Sequence, residues 1–129
     1  MKNSAVILLV LLICSCSSPA SESSSILSAE KFQEELMSDP EIILLDIRTP
    51  QEVSEGSIKG SVNIDYSSGR FDKILDSLDH SKTYFVYCAG GKRSGAAVDL
   101  MKEKGFRHVS GLEGGLNAWK AKEFPVQQP

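Results

Sequence analysis

Cysteine is scarce in this chain of 129 residues: there are three, Cys14, Cys16 and Cys88. So few cannot build the disulfide framework of a small secreted scaffold. Charge of one sign is not in excess either. The net charge is −3, and no basic stripe or aromatic–basic interleaving points to nucleic acid as a partner. No internal repeat is visible. Neither histidine, His80 or His108, has a local partner pattern, so both read as surface or packing residues. What is there, 41% hydrophobic and 24% charged residues, suits one ordinary globular domain.

The N-terminus stands apart from that domain. Lys2 supplies a short positive region, and Ala5 to Ile13 is unbroken apolar sequence too short to span a bilayer. Ile13-Cys14-Ser15-Cys16 follows. This resembles a bacterial lipoprotein signal, with Ile13 at −3, Ser15 at −1 and Cys16 as the lipidated residue. Cys14 fits that role worse, because Ile13 would then occupy −1. An ordinary secretory signal cleaved nearby is the alternative. The expected organisation is a cleaved signal peptide over residues 1–15, then a lipid-anchor cysteine and Ser-rich tether over 16–25, and a folded domain over 26–129. The expected location is the cell envelope, with the membrane reached through the lipid. Ser17 resembles the residue that sends lipoproteins to an outer membrane, where one exists.

If cleavage precedes Cys16, the mature chain keeps one free thiol, Cys88, and can form no internal disulfide. A solitary thiol in an exported protein is open to oxidation. That favours a chemical role over a packing one.

The domain alternates helices and strands. Ser28 can cap a helix carrying Phe32 and Leu36 on one face. Ile42-Ile43-Leu44-Leu45 reads as a strand buried on both faces. Thr49-Pro50-Gln51-Glu52 is a capping box with proline at the first helical position, which accounts for Glu52. Ser61 to Ile64 is a short strand, and Phe71 to Leu78 has helical spacing. Thr83 to Tyr87 is a strand, Gly95 to Lys104 a helix stopped by Gly105, Arg107 to Ser110 a strand, and Leu116 to Lys122 a last helix. This alternation implies an α/β fold with a mostly parallel central sheet flanked by helices. Ligands of such sheets bind beyond the carboxyl ends of the strands, where Cys88 lies.

Cys88-Ala89-Gly90-Gly91-Lys92-Arg93-Ser94 therefore turns from a strand into a helix N-terminus. Backbone N–H groups, the helix dipole, and the charges of Lys92 and Arg93 would all favour a Cys88 thiolate. The segment reads as an anion cradle with a nucleophile at its base. Asp46 and Arg48 sit just after a buried strand and read as an ion pair that orders loops. Trp119, at helical spacing from Leu116, reads as core, and Gly114-Gly115 as a tight turn.

Four segments together resemble a single rhodanese domain. They are Leu45-Asp46-Ile47-Arg48 with Glu52; Gly56-Ser57-Ile58-Lys59-Gly60-Ser61-Val62-Asn63-Ile64; Cys88 to Ser94 with Ala96-Ala97; and Gly105-Phe106, Val109 and Leu112 to Trp119 with Pro125-Val126. Ser57 stands where that family often has histidine. The resemblance implies a three-layer α/β sandwich and sulfur transfer through a persulfide on Cys88. It implies a persulfide-binding loop of Ala89, Gly90, Gly91, Lys92, Arg93 and Ser94, a small anionic sulfur donor, and a thiol or cyanide acceptor. A thiol redox protein is a further candidate partner, and a monomer is expected. The chemistry needs no metal and no cofactor. Relatives that hydrolyse phosphate esters place five residues between cysteine and arginine, and this chain has four, which disfavours a Cys-dependent phosphatase or arsenate reductase. A binding or sulfur-carrier module without efficient turnover is the remaining alternative.

Overall fold

A computed structural model describes residues 25–129, so the segment assigned to signal peptide and anchor, Cys16 included, lies outside the described residues. Strand β1 (Ile26–Leu27) leads into α1 (Ala29–Ser38), and Ser28 Oγ accepts the Lys31 N–H as its cap. Then come β2 (Ile43–Asp46), α2 (Pro50–Ser54), β3 (Val62–Asn63) and a single 3₁₀ turn, Tyr66–Ser68. α3 (Phe71–Asp76), β4 (Thr83–Tyr87), α4 (Lys92–Glu103), β5 (His108–Leu112) and α5 (Gly115–Ala121) complete the order.

The five strands form one sheet in the order β1-β5-β4-β2-β3, and every strand pair is parallel. β4 alternates its side chains between two cores, as the period of a strand requires. Tyr84 and Val86 join Leu45, Leu75, Val98 and Met101 under α3 and α4. Phe85 and Tyr87 join Phe32, Leu44, Leu116 and Trp119 under α1 and α5. The result is a three-layer α/β sandwich. Trp119 is core, and its indole N–H donates to the Pro125 carbonyl at 2.9 Å.

Two features differ from the sequence reading. β1 is an added edge strand, too short for any periodicity to show. α4 begins at Lys92, three residues before Gly95, because Gly91 in the left-handed region (φ 95°) already serves as its N-cap. Lys92, Arg93 and Ser94 are thus a first helical turn, and the loop proper is Cys88–Gly91. A third feature, at the position where the family often has histidine, is a structural contact made by the Ser57 backbone, in line with the sequence. Its N–H donates to the Gln127 carbonyl at 3.0 Å, and its carbonyl accepts from Gln127 N–H at 2.8 Å. That tie holds the C-terminal segment against the rest of the domain. His80 stacks on Phe106, at 4.1 Å between centroids, and His108 is exposed.

Candidate active site

Cys88 leaves the carboxyl end of the central strand β4 and is 1% exposed. Its sulfur faces backbone donors: Gly91 N–H at 3.1 Å and Ser94 N–H at 3.4 Å. The thiol donates to Ser94 Oγ at 3.4 Å, and that hydroxyl donates to the Gly91 carbonyl at 3.2 Å. On ionisation the same hydroxyl is free to turn and donate to sulfur. Burial works against the thiolate, but the Ser94 hydroxyl and the N–H groups of Ser94, Gly91 and Gly90 outweigh it. The thiol pKa falls below its ordinary value.

The first two carbonyls of the loop, those of Cys88 and Ala89, are held by α5. Leu116 N–H donates to the Cys88 carbonyl at 2.8 Å, and Asn117 N–H to the Ala89 carbonyl at 3.0 Å. This packing needs a run of glycine. A Cβ on Gly115 (φ 59°) would lie 2.5 Å from the Cys88 carbonyl oxygen, and one on Gly91 would lie 3.0 Å from Gly114 N. With carbonyls pinned on one side, the amides present on the other. This preorganisation stabilises an anion without reorganising at the moment of reaction.

Behind the loop lies a buried polar network. Arg48 Nε donates to Asp46 Oδ1 at 2.9 Å and Nη2 to Asp46 Oδ2 at 2.6 Å. Arg48 Nη1 also reaches the Glu52 carbonyl at 3.1 Å and Nη2 the Gly56 carbonyl at 2.7 Å, so it caps the carbonyl end of α2. The Tyr87 hydroxyl donates to Asp46 Oδ2 at 2.6 Å and accepts from Ile58 N–H at 3.0 Å. Burial first, and the Asp46 carboxylate beside it, push the Tyr87 phenol up to about 12. Asp46 and Arg48 thus order the loops around the site: neither bonds to Cys88, and Arg48 reaches the rim only through the Glu52 backbone carbonyl.

The family model described as Rhodanese-like domain matches residues 28–122. The chain belongs to this family. YtwF of Bacillus subtilis is 33% identical over 99 residues, covering 77% of this chain and 93% of its own length. The thiosulfate:glutathione sulfurtransferase of Saccharomyces cerevisiae is 34% identical over 92 residues, covering 63% of this chain and 66% of its own length. Among solved structures, a rhodanese-related protein from Thermoplasma volcanium superposes with a TM-score of 0.71 at 31% identity, covering 80% of this chain and 97% of that one. Sulfurtransferases are thus among the relatives of this rhodanese-like domain.

Within the rhodanese-like site, Ala89 and Gly90 form the loop beyond Cys88, and Gly90 is exposed at its tip. Lys92 is exposed at the start of α4 and makes no ion pair among the described residues. Arg93 does. Its Nη1 donates to Glu52 Oε2 at 2.9 Å and its Nη2 to Glu52 Oε1 at 2.8 Å. Glu52 also accepts from Thr49 N–H at 2.9 Å and from the Thr49 hydroxyl at 3.0 Å, completing the capping box. The Arg93 guanidinium, with the Thr49 donors, overcomes partial burial and holds the Glu52 carboxyl at about 2.

Glu52 is therefore the site residue that sequence reasoning missed. The capping box already explained it, and Arg93 lies 41 positions away. The Gly114-Gly115 pair was read only as a turn. Two consecutive glycines ahead of a helix were the available signal of a close backbone approach.

Proposed function

We propose that the protein is a sulfurtransferase that moves a sulfane sulfur from a thiosulfate- or persulfide-type donor to a thiol or cyanide through a persulfide on Cys88. The observation that carries this reading is the pair of backbone donors on one sulfur, Gly91 N–H and Ser94 N–H, beside a Ser94 hydroxyl that can turn to donate once the thiol ionises. The Cys88 thiolate attacks the donor's outer sulfur. The sulfur–sulfur bond of the donor breaks, and its electron pair leaves with sulfite or with a thiolate. The terminal sulfur of the Cys88 persulfide then takes the place of the thiolate among the loop N–H groups. A thiol or cyanide removes that sulfur and restores the thiolate, so turnover is ping-pong covalent catalysis.

The four-residue spacing between Cys88 and Arg93 supports sulfur transfer over phosphate-ester hydrolysis, because one added sulfur needs a smaller cradle than a tetrahedral phosphate. The test is mass spectrometry after incubation with thiosulfate or glutathione hydropersulfide. The protein should gain one sulfur, about 32 Da, which cyanide removes, and Cys88→Ser should gain nothing. A protein that takes sulfur from neither donor, yet hydrolyses an aryl phosphate through Cys88, would refute the assignment. Sulfur uptake without release to cyanide or thiol would make it a carrier instead.

The same proposal includes an envelope location through lipid on Cys16, supported by the Ile13-Cys14-Ser15-Cys16 pattern. Each buried methylene adds ~0.8 kcal/mol, so several acyl chains anchor stably. Cys16→Ala should abolish palmitate labelling of the precursor. Retained labelling would point to Cys14.

A further inference from the structure

The charge at the rim of the site is less positive than the residue types suggest. Arg93 and Glu52 form a two-bond pair at 2.8 and 2.9 Å, so the carboxylate offsets much of the charge that Arg93 also presents to Cys88. The pair is held from both sides. Thr49 grips the Glu52 carboxylate, and Arg48 grips the Glu52 backbone carbonyl at 3.1 Å. Arg48 in turn is locked to buried Asp46. Glu52 is thus a fixed anion held against Arg93, and it is Arg93 whose guanidinium senses the Cys88 sulfur. In the segment from Cys88 to Ser94, Lys92 makes no ion pair among the described residues, whereas Arg93 divides its charge between Glu52 and the Cys88 sulfur.

Resting on the sulfurtransferase reading, we propose that Glu52 is a specificity-determining residue. By neutralising Arg93, it selects neutral or singly charged hydropersulfides over dianionic thiosulfate as sulfur donors.

A thiolate meeting thiosulfate brings three negative charges into one cradle, whereas a thiolate meeting a neutral hydropersulfide brings one. Unit charges a few ångströms apart at a protein surface interact strongly enough for one missing compensating charge to alter binding substantially. A free arginine beside Lys92 would offset the dianion. An arginine already paired to a carboxylate does so poorly. The hydropersulfide needs less compensation. The Cys88 thiolate attacks its outer sulfur, the inner sulfur leaves as a thiolate with the bonding electrons, and the proton stays on the transferred sulfur. That sulfur then loses its proton to solvent and is stabilised by the loop amides. Glu52 touches neither sulfur and acts through Arg93.

Glu52→Gln provides the test, because glutamine still serves the capping box and keeps α2 in place while removing the charge. Steady-state kcat/KM is measured for thiosulfate and for 2-hydroxyethyl hydropersulfide, whose carbon skeleton is uncharged, with cyanide as acceptor in both. In Glu52→Gln the ratio should shift toward thiosulfate about tenfold, expressed mainly as a lower KM for thiosulfate. Lys92→Gln, at an exposed position, should shift the ratio the opposite way. A Glu52→Gln protein that is folded but keeps the wild-type ratio, or loses both donors in parallel, overturns the proposal. So does an unmoved ratio in Lys92→Gln, which decides the matter if Glu52→Gln fails to fold. Failure of the underlying reading looks different: the wild-type protein would then accept sulfur from neither donor.

Discussion

The α-carbon of Gly115 rests against the peptide that follows Cys88, so close that a Cβ there would sit 2.6 Å from the carbonyl carbon of Ala89. Helix α5 therefore forms the back wall of the Cys88 loop. Its first N–H groups occupy the loop's carbonyls, which leaves the loop's own N–H groups to face the sulfur.

Gly115→Ala should disturb that wall. The added methyl must displace either the loop or α5, and the residue's φ of 59° is unfavourable to any side chain. A displacement of about 1 Å at the nucleophile should lower the rate of sulfur transfer about a hundredfold. Gly60→Ala is the control. It too has positive φ, but nothing lies within 4 Å of its Cβ, so it should cost about 1 kcal/mol of stability and spare transfer. Rates and urea midpoints of the two variants check this. Equal transfer rates would contradict the role given to Gly115.

The rate of Cys88 alkylation by iodoacetamide against pH should show a midpoint below about 8.5, the ordinary thiol value. The lowering comes from donors that outweigh burial, with the Ser94 hydroxyl foremost among them. Ser94→Ala removes that hydroxyl but keeps the Ser94 N–H bond to sulfur, so its midpoint should rise. A midpoint that stays put would shift the credit to the loop amides and the helix dipole.

The Glu52–Arg93 pair should make stability depend on acid. Glu52 titrates at about 2 in the folded chain against 4.5 ordinarily. Its contribution is full above about pH 4.5 and is lost as the pH falls toward 2. Because the pair is partly open to solvent screening, the loss should be on the order of 1 kcal/mol. Glu52→Gln should abolish this part of the acid sensitivity. Unfolding free energies of both proteins at about pH 6 and about pH 3 measure it.

Arg48→Ala should destabilise the domain by about 3 to 5 kcal/mol, because it leaves the Asp46 carboxylate buried and uncompensated. It also frees the carbonyls of Glu52 and Gly56. Tyr87→Phe removes one partner from Asp46 and one from the Ile58 N–H, and should cost about 1 to 3 kcal/mol. Urea unfolding with an unchanged denaturant slope checks both.

Much of this protein can be read from residues close together in the chain. The continuous apolar run at Ile42 to Leu45 and the β-rich Thr83 to Tyr87 imply strands covered on both faces, and both lie in the middle of a parallel sheet. Thr49 and Glu52 mark the start of α2 because a capping box closes within four residues. Cys88 on a glycine turn before a helix signals its cradle because loop amides and a helix dipole are also local. Tertiary structure decided what the cradle is made of and what surrounds it. Arg93 meets Glu52 only because the sheet brings β2 and β4 side by side, at a separation no periodicity spans. Gly115 backs Cys88 only because β5 lies beside β4 and returns the chain to the same edge. The start of α4 at Lys92 follows from Gly91, whose left-handed turn is sheltered against the Gly114 backbone. Residue types and short spacings determined the Cys88 turn and its strand–turn–helix setting, since those depend on backbone geometry within a few residues. The electrostatic balance at the rim depends on charges from separate elements, and only the folded sheet sets their distances.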